Sequence, residues 1–150
     1  MVTLNVGDIC VRFKDGTIPP VCFERKSHAD LVQSLSKGYE RFRREIFRAQ
    51  EQGIQLIIAI EKPVSTILKG YSRSLVKGIT TFRKLLTLRW KYGVEHIYFR
   101  NREEMATYIY EYYCHYYLKH KDKLWLPDPS AKSPKPFSDA NGRELDNKEG

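Results

Sequence analysis

No apolar run in this chain approaches the roughly 20 residues needed to cross a bilayer, so no transmembrane helix is expected. Residues 1–6 lack both a basic start and a long apolar stretch, which argues against a secretory signal. Cysteine is scarce. Cys10, Cys22 and Cys114 form no C-x-x-C spacing, so a zinc-finger framework is not expected. A small odd number of cysteines without a leader points to reduced thiols in a cytoplasm. Internal repeats are absent, which removes solenoid architectures. Acidic residues are in deficit: 18 Asp and Glu face 26 Lys and Arg, a net charge of +8. That excess draws a chain to polyanions, of which phosphate backbones are the commonest.

What is present suits one α/β domain. Of the 150 residues, 41% are hydrophobic and 29% charged, an ordinary globular balance. Residues 4–13 read as a strand through Val6, Ile9, Val11 and Phe13. The Asp15-Gly16 pair reads as a tight turn, and residues 21–24 resume as a strand. A helical pattern runs over 29–35. A second carries Tyr39, Phe42, Ile46 and Ala49 on one face, with Arg41, Arg43, Arg44 and Arg48 on the other, and closes at Gly53. The run from Ile54 to Ile60 is nearly all apolar and reads as a strand buried on both faces. A polar connection over 69–77 follows, then a helix over 79–92 with Phe82, Leu85, Leu86 and Trp90 turned inward. A short strand at 96–99 precedes a long helix capped by Asn101 and running to about His120. Pro127, Pro129, Pro134 and Pro136 then mark a tail that cannot build a core. The expected division is a domain over 1–122 and a disordered tail over 123–150, with a mixed sheet flanked by helices.

The chemistry lies in the first two strands. If they pair as an antiparallel hairpin whose partners sum to 32, Asp8 opposes Glu24 and Cys10 opposes Cys22. Alternation then puts Asp8, Cys10, Cys22, Glu24 and Lys26 on one face, and Ile9, Val11, Val21 and Phe23 on the other. The two cysteines are expected to be small buried residues rather than a disulfide or a metal site. Opposed carboxylates, with Cβ atoms about 4.5–5.5 Å apart, repel unless a cation sits between them. A hard divalent ion, Mg²⁺ or Mn²⁺, would satisfy both Asp8 and Glu24. Lys26 would orient water or neutralise charge on a phosphate. Two acids and a lysine around such an ion make sense for phosphodiester hydrolysis.

Gly7-Asp8, a spacer, and Glu24-Arg25-Lys26-Ser27-His28-Ala29-Asp30 resemble the Gly-Asp…Glu-Arg-Lys-x-x-x-Asp signature of the XPF/Hef family of structure-specific nucleases. The resemblance extends through Leu31, Ser34-Leu35 and Tyr39-Glu40-Arg41-Phe42 to Glu61 and Tyr98-Phe99, covering about residues 4–120. It implies a restriction-endonuclease-like, PD-(D/E)XK fold and a metal-dependent endonuclease acting on branched, flapped or junction DNA in repair or recombination. It also implies metal binding by Asp8 and Glu24, assistance from Lys26, a site or phosphate contact from Arg25, and support from Asp30. Family members usually carry Asp-x-Arg-Glu on a strand upstream of Gly-Asp. No such motif stands in the six residues before Gly7, so the sheet is expected to lack that strand. Residues 123–150 show no helix-hairpin-helix module, so a compact form like those of phage and archaea is expected.

Arg25, Arg41, Arg44, Lys69, Arg73 and Lys77 are candidate DNA contacts, since basic positions mark an electrostatic footprint. The Tyr-rich helix over 102–120 carries two aromatic rows. One fills the core, and the second suits a homodimer partner. The expected location is the cytoplasm, nucleoid or nucleus, wherever the DNA is. The alternative reading is a catalytically weak or inactive DNA-binding or dimer-partner domain of the same fold.

Overall fold

The computed structural model describes residues 7–121. Three strands form one parallel sheet in the order β1 (Val21–Lys26), β2 (Gln55–Ile60), β3 (Glu95–Tyr98). Between β1 and β2 come α1 (His28–Ser34) and α2 (Tyr39–Glu51). Between β2 and β3 come α3 (Val64–Lys69) and α4 (Gly78–Tyr92), and α5 (Arg102–Lys121) follows β3. The strands advance across the sheet in one direction. Right-handed crossovers therefore carry both helix pairs to the same face.

Side-chain parity divides the core accordingly. Cys22, Leu56, Ile58 and Ile60 pack with Leu31, Phe42, Ile46, Ile67, Leu85 and Leu88 from α1–α4. Val21, Phe23, Ile57 and Ala59 pack with Met105, Ile109 and Tyr113 from α5. β2 is covered on both sides, which is why it reads as an unbroken apolar run. Register pairs Glu24 with Ile58 and Lys26 with Ile60.

The α/β class and the helix-flanked sheet stand as expected. The antiparallel element does not extend as a strand. Among the described residues of 4–13, only Ile9 pairs, through an antiparallel bridge to Phe23; residues 4–6 and the tail over 123–150 lie outside the described residues. The bridge sums to 32, the register that the face assignment requires. Pro19 and Pro20 offer no amide hydrogen to a ladder, which helps confine the pairing to one point. Residues 64–69, for which the sequence carried no expectation, form a helix after Pro63. One further reading is corrected. On α4 the buried positions are Thr81, Leu85 and Leu88, whereas Trp90 is 62% exposed. Thr81, Leu85 and Leu88, four and three apart, form the inward row, Trp90 lies off it, and α3 packs closely on α4.

That packing has no spare room. A Cβ on Gly78 would lie 2.3 Å from the Leu68 carbonyl oxygen and 2.4 Å from that of Ile67. Backbone cannot yield as a side chain can. Gly78→Ala is expected to destabilise the domain by about 1–3 kcal/mol, the usual effect of overpacking. Thermal unfolding checks this, and an unshifted midpoint would contradict so tight an approach.

Candidate active site

The site begins with Gly7. Its φ is +73°, and a Cβ there would stand 2.8 Å from Cys22 Cβ. Only glycine lets the chain press onto β1 at this point in that conformation. The next residue, Asp8, accepts a 3.0 Å hydrogen bond at Oδ2 from the Arg25 amide on the free edge of β1. Backbone bonds of 3.0 Å from Asp8 and Ile9 to the Phe23 carbonyl complete the attachment. Asp8 is thereby held beside Glu24.

Parity along β1 then sorts the Glu-Arg-Lys triplet. Glu24 and Lys26 turn to the side of α1 and α2. Lys26 Nζ lies 3.3 Å from Glu24 Oε1 and 4.9 Å from the centre of the Phe42 ring. Burial pushes the Glu24 carboxyl above its ordinary value. Lys26 pulls it down, and the charge of Asp8 pushes it up again. The charge of Asp8 thus reaches the Glu24 carboxyl.

Asp8, Glu24, Lys26 and Asp30 line one cleft of about 510 Å³. Ser27 caps α1, its hydroxyl accepting from the Asp30 amide at 3.2 Å, and so presents Asp30 at the cleft edge. The far wall is α2, with Arg41, Glu45 and Arg48 on one helical face. Of the expected DNA contacts, Arg41 is in this cleft. Arg44, Lys69, Arg73 and Lys77 are not among its lining residues. Arg48, Glu45 and Gln33 were not singled out as site residues, although the 41, 45, 48 spacing marks a shared face.

Arg25 lies elsewhere. It turns to the opposite side of the sheet, where Nη2 meets Glu61 Oε1 at 2.9 Å. Arg102 Nε approaches Glu61 Oε2 at 3.3 Å. Burial pushes the Glu61 carboxyl up, but hydrogen bonds and charge from these two guanidiniums outweigh that and hold it below the usual range. Arg25 therefore ties β1 through β2 to the start of α5.

The cysteine expectation is also corrected. Cys10 and Cys22 are joined as a disulfide, leaving Cys114 as the free thiol among the described residues. The same register that faces Asp8 with Glu24 faces these two, at a Cα separation of 4.8 Å.

Two hard carboxylates in an open cleft fit a divalent ion such as Mg²⁺, which takes one or two carboxylates and completes its shell with water and phosphate oxygens. Among the described residues, no group of three or more His, Cys, Asp or Glu side chains is arranged as a metal cage. No helix among the described residues is long and apolar enough to cross a membrane. A family model described as the ERCC4 domain matches residues 1–112. No curated protein matches the chain.

Proposed function

Because the chain belongs to the ERCC4-domain family, the XPF-type nucleases that act on DNA, we propose that it is a divalent-metal-dependent endonuclease that hydrolyses DNA phosphodiester bonds at branched, flapped or forked structures. The observation that carries this reading is the convergence of Asp8, Glu24 and Lys26 on one side of β1.

Asp8 and Glu24 would hold Mg²⁺ or Mn²⁺, which when bound polarises the phosphate and acidifies the attacking water. Lys26, held over Phe42, supplies positive charge where the phosphate becomes more negative. Asp30 offers a further acceptor at the cleft edge. Arg41 and Arg48 draw the sugar–phosphate backbone toward the acids. Arg44, Lys69, Arg73 and Lys77 extend the footprint outside the cleft. Arg25 acts through Glu61, as a positioning residue. A second copy would dock on the groove of about 890 Å³ beside α5, where Ile9, Val11 and Phe13 face Met105, Ile109 and Tyr113. Tyr110, 68% exposed, stands at its edge.

The test is cleavage of end-labelled forked DNA by the full chain with Mg²⁺ or Mn²⁺, against the same reaction in chelator. Metal-dependent cuts near the branch are expected. Binding of the fork without any cleavage would favour the weak or inactive DNA-binding alternative.

A further inference from the structure

The charge of the chain is unevenly distributed. From Lys62 to Val94 there are eight Lys and Arg and no Asp or Glu. The remainder holds 18 Lys and Arg against 18 Asp and Glu, so the whole net charge of +8 resides in this one stretch. Folded, the stretch is α3, α4 and the loop between them.

The loop presents an unusual tip. Leu75 has 104% relative exposure, so its side chain is wholly in water. Lys69, Arg73 and Lys77 flank it, all exposed. A leucine so placed is commonly the end of a limp loop, but this loop is braced. The Ser74 amide donates to the Tyr71 carbonyl at 3.0 Å, and the Val76 amide donates to Ser74 Oγ at 3.1 Å. Gly70 and Gly78 close the base, where a Cβ on Gly70 would stand 3.3 Å from the Gly78 nitrogen. The Tyr71 ring packs 5.3 Å from the ring of buried His28, at the start of the helix that carries Asp30 into the cleft. The loop is therefore fixed to the element beside the catalytic acids.

An apolar prow between phosphate-seeking cations is the arrangement by which proteins enter a base stack: cations hold the backbone while the wedge replaces lost stacking. We propose that the α3–α4 loop is such a wedge, with Leu75 entering DNA at a step where stacking is already interrupted and Lys69, Arg73 and Lys77 on the adjoining phosphates. The inference rests on the reading of the chain as a DNA nuclease and would give that nuclease its preference for branches. An interrupted step is the cheaper target, because part of the unstacking has already occurred.

The test is binding of forked and linear duplexes by the full chain in chelator, read by fluorescence anisotropy, so that no catalytic step enters. Leu75→Ala is expected to lower affinity for the fork about tenfold and for the linear duplex by less than about twofold. 2-Aminopurine at the branch should brighten with the wild type and stay dim with Leu75→Ala. The triple variant Lys69→Ala, Arg73→Ala, Lys77→Ala should weaken both duplexes and flatten the salt dependence by about one slope unit per cation lost. Equal fork binding by wild type and Leu75→Ala overturns the wedge, as does an equal loss on fork and linear DNA. A fall in sedimentation mass with fork preference intact would make Leu75 a protein contact and overturn it too. A wild type that binds neither duplex sinks the DNA reading itself and the wedge with it.

Discussion

Glu24→Gln is expected to leave the domain folded and reduce metal-dependent DNA cleavage by about 10³-fold, the scale on which one lost electrostatic contact at a reacting phosphate is felt. The substitution keeps the shape of the side chain and removes a ligand charge. Its effect on stability should run the other way. Burial holds the Glu24 carboxyl above its ordinary value despite the nearby ammonium of Lys26. A carboxyl whose folded-state pKa is raised favours the folded state at acid pH, and that contribution is lost as pH rises through the raised value. At neutral pH the ionised Glu24 therefore weakens the fold, and glutamine relieves it. Glu24→Gln should melt no lower than the wild type at neutral pH, with any gain shrinking toward acid as the wild-type carboxyl takes up its proton. Metal supplies a second readout. An ion that binds only the folded state raises the melting point by mass action, so Mg²⁺ or Mn²⁺ should stabilise the wild type and leave Glu24→Gln unmoved. A variant that cleaves as well as the wild type, or keeps the full metal-induced shift, would remove Glu24 from the metal site.

Much of this site was legible because β-strand parity is strict. Once Asp8 faces Glu24, the period of two dictates that Lys26 joins them and that Phe23 does not. The same rule places Arg25 behind the sheet. The family triplet implies a place for Arg25 in the site, whereas alternation turns its side chain to Glu61, which Arg102 also meets. The buried face of α2 was readable from spacing, because apolar residues three and four apart share a side; that of α5 was not, since Met105, Ile109 and Tyr113 are buried and so draw on both tyrosine rows. The inward row of α4 was not, since it runs through Thr81, a polar residue that a search for apolar periodicity passes over. Nor was the bond between Cys10 and Cys22. Register can place two thiols opposite each other, but it carries no signal of their oxidation.

That bond has a large expected consequence, because it is the covalent tie between β1 and the segment bearing Asp8. The bridge at Ile9, the Asp8 amide bond to the Phe23 carbonyl and the bond from the Arg25 amide to Asp8 Oδ2 join it to β1, and Ile9, Val11 and Phe13 pack on the other side of the sheet. The disulfide spans a sequence separation of 12. Closing a loop of that order removes about 3 kcal/mol of freedom from the unfolded chain. A dithiol reductant would transfer two electrons and two protons to the pair, giving two thiols and leaving the reductant as a cyclic disulfide. The domain should then melt about 10 °C lower, given the usual sensitivity of domains near this size. Metal affinity should fall with it, since Asp8 would lose the covalent tie two residues away and be held beside Glu24 by hydrogen bonds to β1 and by packing. Thiol titration under denaturing conditions should count one reactive thiol before reduction and three after, from the three cysteines of the chain. The double variant Cys10→Ser, Cys22→Ser should start at the lower melting point and ignore the reductant, whereas Cys114→Ser should respond as the wild type does. A midpoint that stays in place while the thiol count rises from one to three would show that the cross-link contributes nothing to the fold, and that the bridge at Ile9 suffices to hold Asp8.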